Sequence, residues 1–568
     1  MSWLQHYGNS DGYRWRRKDN AFVRPLGFVE FSFDTDGRHF EGRADMNCQV
    51  KLALKSNLSS EDYREKVLLA WTCLRCKHLL LRARTVRQAT TPGLIPFALD
   101  GLHFAIDIHP NLNVAVESAG EHIIFVEDHY KQVDHRDFFA HCQNATRVVH
   151  PDIALAKAFV LPLYNQDGEL NLRLQLVLAH QIADGISINV WMKSFIKLLN
   201  DPVDMLKAQI RELIAPYDMQ DRLPPPQEAL YPKVSGSMAR QRWYWVIVRV
   251  LRHVRRPLPV GFANPLRRKE RQAAVRFSPA YKGVLDHTKT PPLNTIPVDI
   301  EVSPMHTRRL HRLTREAKAS VGAGIYAMVA VCMMELYEKL EPEIKLADRK
   351  CFITGFPLNP RAFFGFSTDP DSMMLAFSDG ISLPFLSSDL SVAGRLRLLA
   401  RQAQRQLSAY QKRPKAAGAE ATRQFLTSRG AGLVLANQYL YGIERAQSML
   451  PEHMRTIKVQ GEYPARQNPT QQTCGVSSVG NRDLQISSGV YDLSKTEMDF
   501  VADFRGLSAS VRARDGEFLV GISGTKGGLF SLPSIDMSML DPALVEAFKH
   551  RFESILEDIE IDSDRSRL

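Results

Sequence analysis

The sequence is poor in cysteine and in long apolar segments. Only seven of the 568 residues are cysteine, an odd number with no dense spacing that would suggest a disulfide framework. The longest apolar run, residues 324–334, ends at Glu335 and is too short to cross a bilayer. Residues 1–20 are polar and aromatic and lack the apolar centre of a secretory signal. The sequence therefore predicts a cytoplasmic protein without a transmembrane segment.

Acidic residues are scarce in one basic segment, residues 240–276. This segment has eleven lysines and arginines against one acid, Glu270, so it carries +10 of the net charge of +11. The rest of the chain is close to neutral. The sequence pI of about 9.2 thus describes one segment, and we expect no nucleic-acid partner.

The length and composition are those of a large folded protein. With 44% hydrophobic and 24% charged residues, the chain can build a core, but 568 residues are too many for a single ordinary one. Prolines at 224–226 and 291–292 enclose the basic segment, which is typical of a linker. We predict an N-terminal subdomain over residues 1–220, a linker over 221–295 and a C-terminal subdomain over 296–568.

Apolar periodicity predicts a strand followed directly by a helix around residue 180. Leucines alternate with polar residues from Leu170 to Leu178, which is typical of a half-buried strand, and helical spacing begins after Gly185. His180 lies between the two. Similar patterns predict helices at 61–77, 321–340 and 542–559, a helix starting at Ser303-Pro304, and strands at 298–302, 351–356, 474–479, 507–514 and 517–523.

A histidine at the end of a buried strand is well placed to act as a base. It is held rigidly and is partly desolvated, and its ordinary pKa of ~6.5 suits proton abstraction at neutral pH. Four residues later, Asp184 is expected to fix the turn that Gly185 permits. Read in isolation, this spacing is common, and a structural histidine at a strand end is the alternative interpretation.

The surroundings of this motif resemble a known superfamily. His180-x-x-x-Asp184-Gly185, at a strand-to-helix junction, is similar to the active-site motif of chloramphenicol acetyltransferase-like enzymes. These include condensation domains of peptide synthetases, plant acyltransferases and fungal trichothecene O-acetyltransferases. Ala179 stands where the double-histidine form of the motif has its first histidine. The resemblance extends over about residues 45–560, with matching segments at 71–84, 357–361 and 477–481.

The resemblance implies an α/β fold of two pseudo-equivalent subdomains arranged in a V, with a central tunnel. It implies that His180 is the general base of acyl transfer from a thioester, acyl-CoA or a carrier-protein thioester, to a hydroxyl or amine of a small secondary-metabolite acceptor. Asp184 would pair with Arg361, and Ser477 or Ser478 would stabilise the oxyanion. We expect no metal, no permanently bound cofactor and a monomeric protein.

Some alternatives stay open at this point. The plant DFGWG motif is reduced here to Asp503-Phe-Arg-Gly506, which favours the fungal or condensation-like branch. A condensation-like cyclase or isomerase could use the same histidine without acyl transfer, and a binding protein could keep the fold without catalysis. Ser477 and Ser478 could be ordinary strand residues. Cys73 and Cys76 form one CxxC, which we interpret as core packing.

The basic segment has two interpretations. Trp243, Tyr244 and Trp245 lie among arginines at helical spacing. A linker helix would pack Trp245, Val248 and Leu251 on the protein body, whereas an interfacial helix would place its apolar face on a membrane surface. We predict the first arrangement, with four arginines in solvent: Arg242, Arg249, Arg252 and Arg256.

Overall fold

The computed structural model describes residues 2–88, 97–231, 233–234, 236–254, 258–364, 372–378, 380–410, 472–495 and 497–559, and isolated positions between 436 and 455. Its continuous helices are α1 Phe28–His39, α2 Ser60–Lys77, α3 Leu112–Gly120, α4 His135–Asn144, α5 Gly185–Asn200, α6 Val203–Leu213, α7 Pro216–Arg222, α8 Gln227–Leu230, α9 Met238–Val254, α10 Pro304–Glu316, α11 Val321–Leu340, α12 Arg361–Phe364, α13 Val392–Tyr410 and α14 Pro542–Ser554.

Three of the strands have ten to twelve residues, and the others are shorter. They are β1 Arg16–Lys18, β2 Ala21–Pro25, β3 Met46–Ser56, β4 Arg84–Arg87, β5 Leu102–Asp107, β6 Ile123–Phe125, β7 Ala156–Val160, β8 Tyr164–Gln166, β9 Glu169–Leu178, β10 Ile300–Val302, β11 Phe352–Gly355, β12 Pro357–Leu358, β13 Ala376–Phe377, β14 Ile381–Leu383, β15 Cys474–Asn481, β16 Phe500–Val511, β17 Phe518–Thr525, β18 Gly528–Ser531 and β19 Ser534–Ile535.

The first large sheet has the order β16-β3-β9-β7-β6 and carries the strand that leads to His180. Four of the five leucines of β9 are buried, as the alternation predicts, and Leu170 is half-buried. The polar face of β9 is buried as well, because Asn171 and Gln175 are almost inaccessible. Helix α4 lies against this face, where Gln49 donates to the His135 carbonyl at 3.1 Å and to Gln175 at 3.3 Å. The predicted half-buried strand is thus more buried on its polar face than the alternation indicates, although Arg173 stays half-buried.

The second large sheet has the order β10-β18-β17-β15-β11-β14 and packs on helices α11, α13 and α14. Helix α11 has the predicted bounds and is the core helix of this half. It is long and apolar enough to cross a membrane, but 67% of its most apolar window is buried inside the fold. Its apolar surface is thus accounted for by packing.

One strand connects the two halves of the chain. β16 begins at Phe500, earlier than predicted, and pairs antiparallel with β3 from Phe500↔Ser56 to Val511↔Met46. It contains the Asp503-Phe-Arg-Gly506 sequence. A strand from the second half thus completes the first sheet. The predicted division at residues 220 and 295 includes no such exchange and stays a prediction.

Several local signals in the sequence are confirmed. Ser59, Ser303 and Asp541 each accept a backbone hydrogen bond as the N-cap of a helix. All seven cysteines are free. Cys73 and Cys76 are buried in α2, and burial raises the pKa of the Cys73 thiol to about 12, so both pack as apolar side chains.

Helix α9 forms the start of the basic segment. The predicted burial of Trp245 is confirmed, since only 3% of its surface is exposed, and Val248 is buried beside it. Three details were wrong, the first being that Arg249 is half-buried and not in solvent. Leu251 is 43% exposed, and Arg252 points to the protein, where it pairs with Glu444 and donates to the Asn437 carbonyl. Arg256 lies outside the described residues.

Candidate active site

His180 lies in the short connection between β9 and α5. The backbone on either side is fixed, because Ala179 N–H donates to the Leu155 carbonyl at 2.9 Å and Ile182 N–H donates to the Ala179 carbonyl at 3.1 Å. Ile182 and Ala183 are fully buried. A rigid strand end and a tight turn therefore set the position of the imidazole.

Asp184 secures the start of the following helix. Its Oδ1 accepts from the backbone N–H groups of Ile186 and Ser187, at 2.9 and 3.0 Å, while the Ser187 hydroxyl accepts from the Asp184 N–H at 2.8 Å. This is a capping box. Asp184 Oδ2 is left for contacts with the second half of the chain.

The predicted pair of Asp184 and Arg361 is present. Arg361 Nη2 donates to Asp184 Oδ2 at 2.6 Å, and the Met374 N–H donates to the same oxygen at 2.9 Å. Arg361 Nη2 also donates to the Ser372 carbonyl at 2.6 Å. Both charged side chains are buried. The His180 turn is thus joined to residues 372–374 by a buried ion pair.

Phe33 covers one face of the His180 ring. The two rings stack with their centroids 4.0 Å apart and their planes inclined by 11°. Arg514 lies over Phe33 at 5.8 Å from the ring centroid and pairs with Asp36 at 3.2 Å. Helix α1 is therefore held against the histidine by an arginine in the connection between β16 and β17. The sequence analysis did not single out Phe33, and no local motif marks it.

Burial keeps the His180 imidazole uncharged at neutral pH. Its pKa is lowered to about 4, chiefly by desolvation and to a smaller extent by the Arg514 charge, while the His180 carbonyl, the Asp184 charge and the Ala183 carbonyl act in the opposite direction. Nδ1 is shielded from solvent, although part of the residue's surface stays open. Because Nδ1 is shielded from solvent, we expect Nε2 to be the nitrogen that a substrate reaches.

The surroundings of His180 are apolar. A small cluster separate from the two main cores is formed by Val29, Phe33, Ala44 and Met373, with Leu375 and Phe377 packed against it. Phe377 lies 6.3 Å from Phe33 between ring centroids. A reactant that approaches His180 beside Phe33 therefore meets aliphatic and aromatic side chains.

Strand β15 brings the second half of the chain to the same site. Val479 side-chain carbons lie 3.6 and 3.7 Å from the position that a Cβ on Gly185 would take. Ser477 is half-buried and Ser478 is exposed, just before a register shift between Ser478 and Gly480. The oxyanion role of either serine stays a prediction.

Two residues of the predicted linker support the site. Gln227 Oε1 accepts from the Leu375 N–H at 2.9 Å, and Glu228 Oε1 accepts from the Val29 N–H at 3.2 Å. Burial, followed by the charge of Glu30, raises the pKa of Glu228 to about 7. The first residues of the predicted linker thus hold the backbone next to the apolar cluster in place. The amino-acid composition of the linker did not indicate this role.

The two joined sheets, with the His180 turn clamped to the second half of the chain, form a two-subdomain α/β fold, as predicted, and solved acetyltransferase and condensation-domain structures share this fold. The trichothecene 15-O-acetyltransferase TRI3 from Fusarium sporotrichioides is similar over 97% of this chain and 98% of its own, with 11% identity and a TM-score of 0.62. No family model matches the sequence, and no curated protein sequence does.

Condensation domains show the same likeness. The condensation domain of the monacolin K polyketide synthase MokA is similar over 94% of this chain and 96% of its own, with 10% identity and a TM-score of 0.51. The first condensation domain of the calcium-dependent antibiotic synthetase is similar over 94% of this chain and 94% of its own, with 10% identity and a TM-score of 0.50. The shared property is the fold. The predicted V arrangement and tunnel stay predictions.

Proposed function

We propose that the protein is an acyltransferase of secondary metabolism that uses His180 as its general base. It would transfer an acyl group from a thioester, acyl-CoA or a carrier-protein thioester, to a hydroxyl or amine of a small acceptor. The observation that carries the proposal is the His180 imidazole itself. It is uncharged because it is buried, it is fixed between a strand and a helix, and it lies where the two halves of the chain meet.

The chemistry requires few groups. His180 Nε2 takes the proton of the acceptor O–H or N–H, and the freed lone pair attacks the thioester carbonyl carbon. The carbonyl oxygen becomes an oxyanion, for which Ser477 or Ser478 is the proposed hydrogen-bond donor. Collapse of this intermediate breaks the C–S bond, and the leaving thiolate takes the proton from His180. The imidazole returns to its neutral form.

The apolar cluster supports a largely hydrophobic reactant next to the histidine. Val29, Phe33, Met373, Leu375 and Phe377 offer no charge to a substrate. An acceptor or acyl chain with an apolar body would gain about 25 cal/mol for each Å² that it buries there. This favours a hydrophobic small molecule as one of the two partners of the reaction.

The reaction class can be tested with a panel of acyl-CoA thioesters and small hydrophobic alcohols and amines. Thiol release and product mass would be followed together. Acyl transfer predicts release of free CoA with a product heavier than the acceptor by the acyl group. A product of altered structure without thiol release would instead support a cyclase or isomerase. Binding of both reactants without any product would support a non-catalytic protein.

The pH dependence of the reaction should follow the lowered pKa of His180. The active form is the neutral imidazole, so activity is retained above the pKa and lost as the pH falls through it. Because burial lowers this pKa from 6.5 to about 4, kcat/KM should show no inflection near pH 6.5. A pH–rate profile between about pH 5 and 8 tests this, with circular dichroism to confirm folding at each pH. A half-maximal rate near pH 6.5 would contradict it.

Removal of the Phe33 ring should move that profile. Phe33→Ala admits water to the imidazole, so the pKa of His180 should rise from about 4 towards its ordinary 6.5, and the acidic limb of kcat/KM should rise with it. Titration of the His180 ring by NMR gives the same quantity without substrate. Phe33→Leu is the matched control, since it keeps an apolar cover and should retain the low pKa. An unchanged titration in Phe33→Ala would show that the stacked ring does not determine the pKa.

A further inference from the structure

Helix α9 has a second apolar face that the rest of the described protein leaves uncovered. Trp245 and Val248 are buried on one side, but Trp243 on another side is 65% exposed. Four further large apolar residues are exposed on the same side as Trp243, three or four positions apart along the helix: Val246, Ile247, Val250 and Val254. At about 100° per residue the five fall within an arc of about 100°. They form a continuous stripe along the helix, here called the outer stripe.

The outer stripe has cationic edges. On the same helical projection Arg240 falls at one edge, and Arg242 falls at the other. Arg240 and Arg242 are exposed. Met238–Val254 contains no aspartate or glutamate, and it opens the basic segment with its net charge of +10. The outer stripe is thus apolar along its centre and positively charged at its edges, and it has no acidic residue. It complements a surface that has an anionic outer layer and an apolar interior.

The helix is held in place from its other side. Tyr7 and Tyr439 contact the Trp245 ring, at centroid distances of 4.8 and 6.0 Å, and Arg252 pairs with Glu444. The outer stripe is therefore presented by a helix that is already formed and docked. Binding through it would need neither folding of the helix nor its release from the body.

We propose that the outer stripe binds the surface of an anionic lipid bilayer. The aliphatic side chains and Trp243 would enter the boundary between headgroups and acyl chains, and Arg240 and Arg242 would lie at the level of the lipid phosphates. A second copy of the chain fits this face less well, because it would bring two sets of cationic edges together without acids to pair with them. Helix α9 would thus combine the two arrangements that the sequence analysis considered: one face packs on the protein body, and the other face lies on a membrane surface.

Vesicle flotation of the full-length protein tests the proposal. The wild type should float with phosphatidylcholine vesicles that contain about 30 mol% phosphatidylserine, and much less with phosphatidylcholine alone. Ile247→Glu/Val250→Glu should lower the partition coefficient at least about tenfold on the anionic vesicles. Arg240→Gln/Arg242→Gln should lower binding to the anionic vesicles only and weaken its dependence on salt. Both variants change exposed side chains, and circular dichroism would check their fold.

Two exposed apolar residues elsewhere provide the matched control. Ile153 and Leu484 are 65% and 82% exposed, and Ile153→Glu/Leu484→Glu adds the same two charges without touching α9. This variant should float like the wild type. The proposal fails if the wild type stays unbound, or if Ile247→Glu/Val250→Glu floats equally well. It also fails if light scattering shows a dimer that this variant dissociates, since a second copy would then cover the stripe. No substrate is needed, so the result does not depend on the proposed reaction.

Discussion

His180→Ala should lower turnover by about 10²–10⁴-fold while the protein stays folded, because the acceptor would lose the base that takes its proton. The side chain makes no contribution to the ion pair or the capping box that hold the turn, so its loss should leave the backbone in place. Initial rates of thiol release at saturating thioester measure the effect. Thermal unfolding followed by circular dichroism establishes that the variant is folded.

A second histidine provides the control for this experiment. His122 is also half-buried, and desolvation also lowers its pKa to about 4, but it lies between α3 and β6. His122→Ala removes a histidine of similar environment and should leave turnover within about twofold of the wild type. Undiminished turnover in folded His180→Ala would remove the proposed base. An equal loss in both variants would indicate a general structural effect.

Asp184→Asn should destabilise the protein by about 3–5 kcal/mol, because it leaves the buried Arg361 guanidinium without a counter-charge. The carboxylate accepts four hydrogen bonds, from Ile186, Ser187, Met374 and Arg361, and the amide can replace only part of this set. The effect should appear in the free energy of unfolding by denaturant. The Michaelis constants should change much less, since both carboxylate oxygens are already bound to protein groups.

An exposed helix cap separates the ion pair from capping alone. Asp134 caps α4 through the N–H groups of Arg136 and Asp137 in solvent, so Asp134→Asn should cost at most about 1 kcal/mol. Arg361→Gln combined with Asp184→Asn should cost less than the sum of the two single changes, because it removes both buried charges. Additive losses would show that the two side chains do not stabilise each other.

The elements nearest the motif could be predicted because their signals are local. The alternation up to Leu178 and the helical spacing after Gly185 place His180 at their junction, and N-caps such as Ser303 follow from residues within one turn. The pairing of Asp184 with Arg361 was predictable only through the resemblance. Nothing in either segment alone indicates the other.

The parts that could not be predicted depend on contacts between distant segments. Phe33 stacks on His180, and Glu228 holds the first turn of α1, although neither belongs to a recognisable pattern. The polar residues of β9 looked solvent-facing because the covering helix α4 has no sequence link to them. Arg252 shares a basic helix with exposed arginines, and only the fold provides its partner Glu444. In each case tertiary packing decides what local periodicity leaves undetermined.

The exchanged strand β16 bears on how this chain is made. During synthesis the ribosome completes β3 and β9 long before it reaches Phe500, so the growing sheet exposes the unpaired edge of β3 from Met46 to Ser56. A long free edge invites pairing with other chains. Closure of the first sheet must wait for a contact of very high sequence separation, which slows folding. Successful production of this protein should thus depend on chaperones that shield β3, and expressing its two halves as separate polypeptides would leave that edge open.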